Sequence, residues 1–336
     1  MHKSGKAKNN LLLASVAATA ILAISTNSYA QETKSSNSEE VIVTARLRKE
    51  KLQSVPLSIA SFSEKELKNT GANNVQDVAK MTPGFTYSPL FGGAAATPVI
   101  RGQSTTIGEP NVGFFIDGVY QSSRVVMDAS IGDDVARVEV VKGPQSALYG
   151  RNTFGGAINI ISKPPSGEFQ AQARLDYSSN NTISAHASAS GAIVADKLFY
   201  RIGAVHNQSD GYFKNTLTGT NLDTKDTNVF SGMLYATPND TLSMKLRLAN
   251  EKTRDGDLPL KYATNNSFIF PFSGTLPTAQ MYTGELKGSE TFSVTPGHND
   301  RDYTTLSATI DKKLDGITLT SVTGFDRLTY DQQQDN

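Results

Sequence analysis

Residues 135–165, VARVEVVKGPQSALYGRNTFGGAINIISKPP, narrow the folds open to this chain more than any other stretch. Two β-rich runs, at 138–141 and 157–161, flank a segment in which Gly143, Gly150, Gly155 and Gly156 permit tight turns or positive φ. The spacing predicts a strand, a compact elbow and a second strand. Glycines beside a lysine also suggest a phosphate-cradling loop, but that loop needs G-x-x-x-x-G-K-[ST] leading into a helix. Here Gly150 is followed by Arg151 and Asn152, and the segment leaves into Ile158, Asn159, Ile160 and Ile161. An anion would meet a strand there, not a helix N-terminus. A purely structural Gly-rich hairpin of an unrelated β protein is the remaining alternative.

The start of the chain reads as an export signal. Lys3, Lys6 and Lys8 precede an apolar run at 11–24, and Ser28-Tyr29-Ala30 places small residues three and one positions before a cut that leaves Gln31. The run falls short of the roughly twenty residues a helix needs to cross a bilayer. The chain has no cysteine, which removes disulfide frameworks, thiol catalysis and Cys-based zinc sites. Its 32 basic and 32 acidic residues balance, so charge implies no polyanion partner and no nucleic acid.

A polar leader at 31–38 is too small and hydrophilic to fold. After it come Glu39, Glu40, Val41, Ile42, Val43, Thr44 and Ala45, then the basic Arg46, Arg48 and Lys49. Three β-branched residues in a row favour extended backbone, and their polar flanks are expected to keep them in water, free to pair with another sheet.

Residues 52–165 read as a compact α/β domain. A strand is expected over 55–62; Ser63 and Glu66 form a capping box for a helix that stops at Gly71; Asn74 and Asp77 open a second helix that Pro83-Gly84 ends. Strands follow at 98–101 and 112–116, and Asp117-Gly118 is a hairpin signal between Phe115-Ile116 and Val119-Tyr120.

From Glu168 onward the pattern alternates with period two. Phe169, Ala171, Ala173, Leu175 and Tyr177 share one face, and Gln170, Gln172, Arg174, Asp176 and Ser178 the other; Leu242, Met244, Leu246 and Leu248 repeat the pattern against Thr241, Ser243, Lys245 and Arg247. Apolar outward and polar inward, at about ten residues per strand, is what a membrane barrel with a wet lumen requires. A soluble sandwich alternates too. Strands are expected near 168–178, 182–193, 198–207, 228–237, 241–250, 302–311 and 317–330, joined mostly by alternating short turns and long loops.

In order along the chain stand P-G-F at 83–85, I-R-G at 100–102, F-I-D-G-V-Y at 115–120, R-V-E-V-V-K-G-P at 137–144, L-Y-G at 148–150 and G-G-A-I-N-I at 155–160. This set resembles the plug domain of TonB-dependent outer-membrane receptors. The resemblance implies an α+β plug domain followed by antiparallel transmembrane β-barrel strands, part of a barrel of about 22 strands, a size that holds a plugged lumen. It divides the chain into a signal peptide at 1–30, a periplasmic leader at 31–51 whose residues 39–45 are the TonB box, a plug at 52–165 and the first part of the barrel at 166–336. The plug signature would be Arg101, Gly102, Asp117, Gly118, Arg137, Glu139, Lys142, Gly143, Pro144, Tyr149, Gly150, Gly155 and Gly156. Tyr120, Gln121 and Ser122 would lie near the apex where ligand arrives.

In such receptors plug arginines are held against carboxylates of the inner wall; the alternative for Arg101, Arg137, Glu139 and Lys142 is solvation or pairing within the plug. About seven strands cannot close round a plug, so the resemblance implies a truncated or partial sequence that does not work alone. The short leader implies no extra signalling domain. The implied function is uptake of a scarce nutrient at the outer membrane, energised through TonB. A ferric siderophore is the first choice of cargo, with carbohydrate, cobalamin or another compound as alternatives, and no enzymatic activity or cofactor is implied. The rivals are a secreted β-rich hydrolase, for which no G-x-S-x-G elbow occurs, and an adhesion module. His186 and His206 fall on opposite faces by parity, which argues against a shared metal.

Overall fold

The computed structural model describes residues 42–44, 50–90, 95–105, 108–128, 134–215, 219–256, 290–291 and 297–333. The expected signal at 1–30 and leader at 31–38, with Glu39, Glu40, Val41 and Ala45 of the box, lie outside the described residues.

The first module is built on a five-stranded sheet. Strand β1 (Ile42–Val43) pairs antiparallel with β2 (Glu50–Lys51). Strand β3 (Ser58–Ser63) runs straight into helix α1 (Glu64–Thr70) through the expected capping box. The Ser63 hydroxyl accepts from the Glu66 N–H at 3.3 Å, and the Glu66 carboxylate accepts from the Ser63 N–H at 2.7 Å. Gly71 ends the helix at φ 69°, and Asn74 caps helix α2 (Val75–Met81) by accepting from the Asp77 N–H at 2.9 Å. A hairpin of β4 (Phe85–Leu90) and β5 (Ala95–Ile100) follows, then β6 (Val112–Ile116), β7 (Val119–Tyr120), β8 (Val135–Lys142), the single turn α3 (Ser146–Tyr149) and β9 (Gly156–Ser162). The sheet order is β3-β8-β9-β6-β7, with β6 and β9 parallel and the other pairs antiparallel.

Both faces of this sheet are covered. Period-two alternation sends Val138, Val140, Phe114, Ile158 and Ile160 to one face, where Leu67, Val75, Val78 and Ala79 of the helices and the buried Val126 and Met127 close the core. The opposite face carries Phe115, Val141 and Ala157, covered by Leu57, Ile59, Tyr120 and Tyr149. The elbow needs glycine where β9 begins: Gly156 has φ 149°, and a Cβ there would sit 2.2 Å from the carbonyl oxygen of Val141.

The second module is a seven-stranded antiparallel wall: β10 (Gln170–Ser178), β11 (Thr182–Val194), β12 (Leu198–Ser209), β15 (Lys225–Asn239), β16 (Leu242–Gly256), β18 (His298–Lys313) and β19 (Thr318–Gln333), in that order. The short β13 (Phe213–Asn215), β14 (Asn221–Leu222) and β17 (Glu290–Thr291) form a separate small sheet. All seven predicted strands are present, and alternation sorts the faces: Leu175, Ile202, Phe230, Leu246, Leu306 and Phe325 are exposed on one, while Ser190, Arg201, Ser231, Thr253, Arg301 and Ser307 are buried on the other. Apolar outside and polar inside is the barrel pattern.

Six of the seven strands outrun their predicted ends, β16 by the most. The apolar alternation stops at Leu248, but the ladder of β16 and β18 continues to Gly256 and His298. Polar pairs carry it: Asn250 Nδ2 donates to Thr304 Oγ1 at 2.9 Å, and Arg254 Nε lies 3.4 Å from Asp300 Oδ2. Hydrophobic period marks only the part of a strand that crosses the apolar layer.

Candidate functional site: the box strand, the plug and the wall

Thr44 is where the box meets the plug. Its N–H donates to Glu139 Oε1 at 2.8 Å, and its hydroxyl donates to the same carboxylate at 3.2 Å. Arg137 Nε donates to Glu139 Oε1 at 2.7 Å, and Arg137 Nη2 donates to Thr44 Oγ1 at 3.2 Å. Glu139 is fully buried, and these charge-assisted bonds occupy its carboxylate. The expectation of a box held in water therefore fails at Val43, which is fully buried, though Ile42 beside it is 38% exposed. Pairing with Glu50 and anchoring of the next residue turn one side of the strand inward.

Among the described residues, four polar contacts join the plug to the inner face of the wall. Asp117, at φ 51° in the expected hairpin turn, receives Lys245 Nζ at 3.0 Å and the Ser162 N–H at 3.0 Å on Oδ1. Burial by itself would raise the Asp117 carboxyl, but Lys245, Arg247 and the Ser162 hydrogen bonds outweigh it and hold it below the usual carboxylate value. Arg247 Nη2 pairs with Asp134 Oδ2 at 2.9 Å. The Tyr303 hydroxyl donates to Gln121 Oε1, and Arg301 donates to the carbonyl of Val125 at 3.0 Å while its other terminal nitrogen pairs with Glu251. Shape completes the fit: a Cβ on Gly324 would lie 2.2 Å from Val119 Cγ1, so the wall needs its glycine where the hairpin leans on it.

Among the described residues the sign of these pairs is opposite to the resemblance-based expectation. Plug carboxylates meet wall cations, whereas Arg137 pairs with Glu139 inside the plug and Lys142 Nζ donates to the carbonyl of Pro83 at 3.3 Å. Arg101 is an exposed residue at φ 52°, followed by Gly102 at φ 77°, and its Nη1 lies 3.0 Å from where a Cβ of Gly143 would be. Pro144 follows Gly143, and Gly150, at φ 84°, ends α3; Gly118 and Gly143 also have positive φ, while Gly155 does not. Among the signature residues, several glycines form turns, Asp117 sits in a turn and meets the wall, Arg137 and Glu139 pair inside the plug, and Lys142 bonds to the Pro83 carbonyl.

The three residues expected at the ligand apex divide as well. Gln121 is buried, with its oxygen bonded to Tyr303 and its Nε2 donating to the Val119 carbonyl at 2.8 Å, so it is a wall anchor and not a ligand-facing group. The hairpin turn aims it sideways. Ser122 is exposed, and the Tyr120 ring packs 5.5 Å from Phe115 while its hydroxyl accepts from Asn152 Nδ2 at 2.8 Å. Sequence reasoning missed Glu109, whose carboxylate accepts from Arg151 and Asn152, and the wall residues Lys245, Arg247, Arg301 and Tyr303. The only signal for the latter was a charge or hydroxyl on the polar parity of an alternating strand. His186 faces inward, 2.8 Å from Ser184 Oγ, and His206 faces outward, 2.9 Å from Asn228 Oδ1.

An α+β plug docked against a wall with an apolar outer and a polar inner face is the plugged-barrel fold of the outer membrane. A family model described as the TonB-dependent Receptor Plug Domain matches residues 51–157. The chain is 30% identical over 173 residues to the iron-regulated outer membrane virulence protein of Vibrio cholerae, covering 48% of this chain and 25% of that protein. It is 28% identical over 212 residues to the vitamin B12 transporter BtuB of Vibrio vulnificus, covering 62% of this chain and 34% of that one. Among solved structures, the ferric yersiniabactin uptake receptor FyuA from Yersinia pestis superposes with a TM-score of 0.69 at 21% identity, over 82% of this chain and 41% of that receptor. The siderophore receptor PiuA from Acinetobacter baumannii does so with 0.67 at 18%, over 86% and 38%. Residues 51–157 thus match the plug of TonB-dependent receptors, and through the plug and part of the barrel the chain is similar to TonB-dependent outer-membrane receptors. It spans 25% and 34% of the length of the two curated relatives named above.

Proposed function

We propose that this chain is the plug and first wall of a receptor that takes a scarce nutrient across the outer membrane with energy delivered through TonB. Residues 39–45 are the docking segment for TonB, by β-strand addition to the extended box. The observation that carries the reading is the attachment of Val43 and Thr44 to the plug at Glu139, because a pull on the box then acts directly on a strand of the plug sheet. Ser122 and Tyr120 are offered as the ligand-facing part of the apex, and no covalent chemistry is asked of the chain.

For cargo, a ferric siderophore is the first proposal. It is supported by the similarity to an iron-regulated outer-membrane protein and to the uptake receptors for ferric yersiniabactin and for a siderophore. Cobalamin is the second, since the similarity to a vitamin B12 transporter extends over 62% of this chain. Growth and radio-iron uptake in a receptor-deletion strain, with and without deletion of residues 39–45, test both parts. Iron uptake that requires the receptor and residues 39–45 is the expected result; cobalamin uptake in its place would move the cargo to the second proposal, and uptake of either that ignores the deletion would sink the TonB reading.

A further inference from the structure

At the end of the plug sheet opposite Ser162, the elbow between β8 and β9 meets the loop that leads into β6. There the Glu109 carboxylate accepts from two elbow side chains, Arg151 and Asn152. Asn152 is held at φ 65°, and its Nδ2 also donates to the Tyr120 hydroxyl at 2.8 Å. The ion pair is open to water, with the Arg151 side chain 70% and the Glu109 side chain 45% exposed. A pair so exposed adds little to stability. Nor is it needed to place the loop, because the Gly155 N–H donates to the Asn111 carbonyl at 2.8 Å and Arg124 Nε donates to the Gly108 carbonyl at 2.8 Å. Among the described residues Arg151 commits one terminal nitrogen to Glu109, and a second guanidinium stands beside the elbow, with Arg101 Nη1 3.0 Å from where a Cβ of Gly143 would be.

We infer that Arg151 and Asn152 form a seat for an anionic oxygen of the cargo, and that Glu109 is a resident carboxylate which the cargo displaces. The planar fork of a guanidinium matches paired oxygens, and the amide of Asn152 beside it adds a directed donor. An incoming carboxylate or catecholate restores the charge-assisted bonds that Glu109 gives up. The released carboxylate returns to water at small cost, since it is already half exposed. A cationic chelate or cobalamin has no anionic oxygen to exchange, so for these the resident pair stays closed. Glu109 is thus a specificity-determining residue that works by competition: it selects iron chelates carrying deprotonated oxygens and rejects those without. Tyr120 is a positioning residue here, its hydroxyl fixing the orientation of the Asn152 amide.

This deepens the cargo proposal and rests on the reading that this end of the plug receives an iron chelate; the test separates the two. Receptor purified from outer membranes is titrated, without TonB, with ferric citrate and a ferric tris-catecholate as anionic probes, and with a cationic ferric trihydroxamate and cyanocobalamin as controls. Glu109→Gln is expected to bind the preferred anionic probe about fivefold tighter, because the resident charge is gone, and Arg151→Gln about tenfold more weakly. In the double variant the gain from Glu109→Gln should vanish, since no seat is left to compete for. Thermal unfolding of the plug should stay the same in all three variants, as both side chains are exposed. A carboxylate that only pins the loop would give no tightening. Anionic-probe binding that ignores both substitutions overturns the seat and leaves the transport reading standing, as does equal tightening toward the cationic probe. A wild type that prefers the trihydroxamate or cyanocobalamin also overturns the seat, and if no form binds any chelate both ideas fall.

Discussion

The plug sheet and the wall sheet are both strands at period two, yet they answer to different solvents. In the plug, Val138 and Val140 on one face and Val141 on the other are all fully buried, so each face contributes its own core. In the wall, Phe230 is 53% and Phe325 61% exposed to whatever surrounds the molecule, and only the inner face is covered by protein. Apolar residues in the plug therefore stabilise the fold against water, whereas those of the wall select a hydrocarbon environment. The two meet partly by apolar packing, with Tyr303 inside the plug core cluster, Leu328 against it and Gly324 under Val119, and partly by charge and hydrogen bonds from Lys245, Arg247, Arg301 and Tyr303 to plug atoms.

The sharpest way to break this contrast is a pair of phenylalanines. Phe114→Ala, at a fully buried plug position, is expected to cost about 3–5 kcal/mol in thermal or denaturant unfolding of the plug, while Phe325→Ala should leave that transition within about 0.5 kcal/mol. Equal losses would mean that plug and wall form one cooperative core. Next in size, Arg247→Ala strands Asp134 and takes a second cation from Asp117; a loss of about 3 kcal/mol is expected, seen as lower protease resistance of the plug. Gly324→Val should displace the hairpin at Val119 and cost about 1–3 kcal/mol, and Val119→Ala in the same chain should recover part of it.

The smallest effect is a pH dependence at Asp117. Its folded carboxyl lies below the ordinary aspartate value of 3.8, so its stabilising contribution is complete above that value and is lost as pH falls through the lower, folded one. Plug release should accordingly begin only below about pH 4, and Asp117→Asn should remove this acid step while weakening docking at neutral pH. An acid step that survives Asp117→Asn would assign it to other carboxylates.

How far each region could be read ahead of the structure differs in the same way. Caps at Ser63 and Asn74, the turn at Asp117-Gly118 and the elbow around Gly156 depend on residues a few positions apart, and their local chemistry is unambiguous. Strand faces in the wall follow from parity alone. Gln121 was misplaced because the direction of a side chain just after a turn depends on what the turn packs against, here Tyr303, 182 positions away. The buried Val43 escaped notice because a polar neighbourhood in sequence says nothing about Glu139, which lies 95 positions from Thr44.

The order of residues alone thus determined that this chain makes an α/β module followed by strands with one oily and one polar face, since helix caps, glycine turns and two-residue periodicity act over a few bonds. Only the folded structure decided which charges face each other across the plug and wall, and that the box strand is held by Glu139. Electrostatic and hydrogen-bond partners are chosen by proximity in space, and Arg247 finds Asp134 across 113 residues of chain.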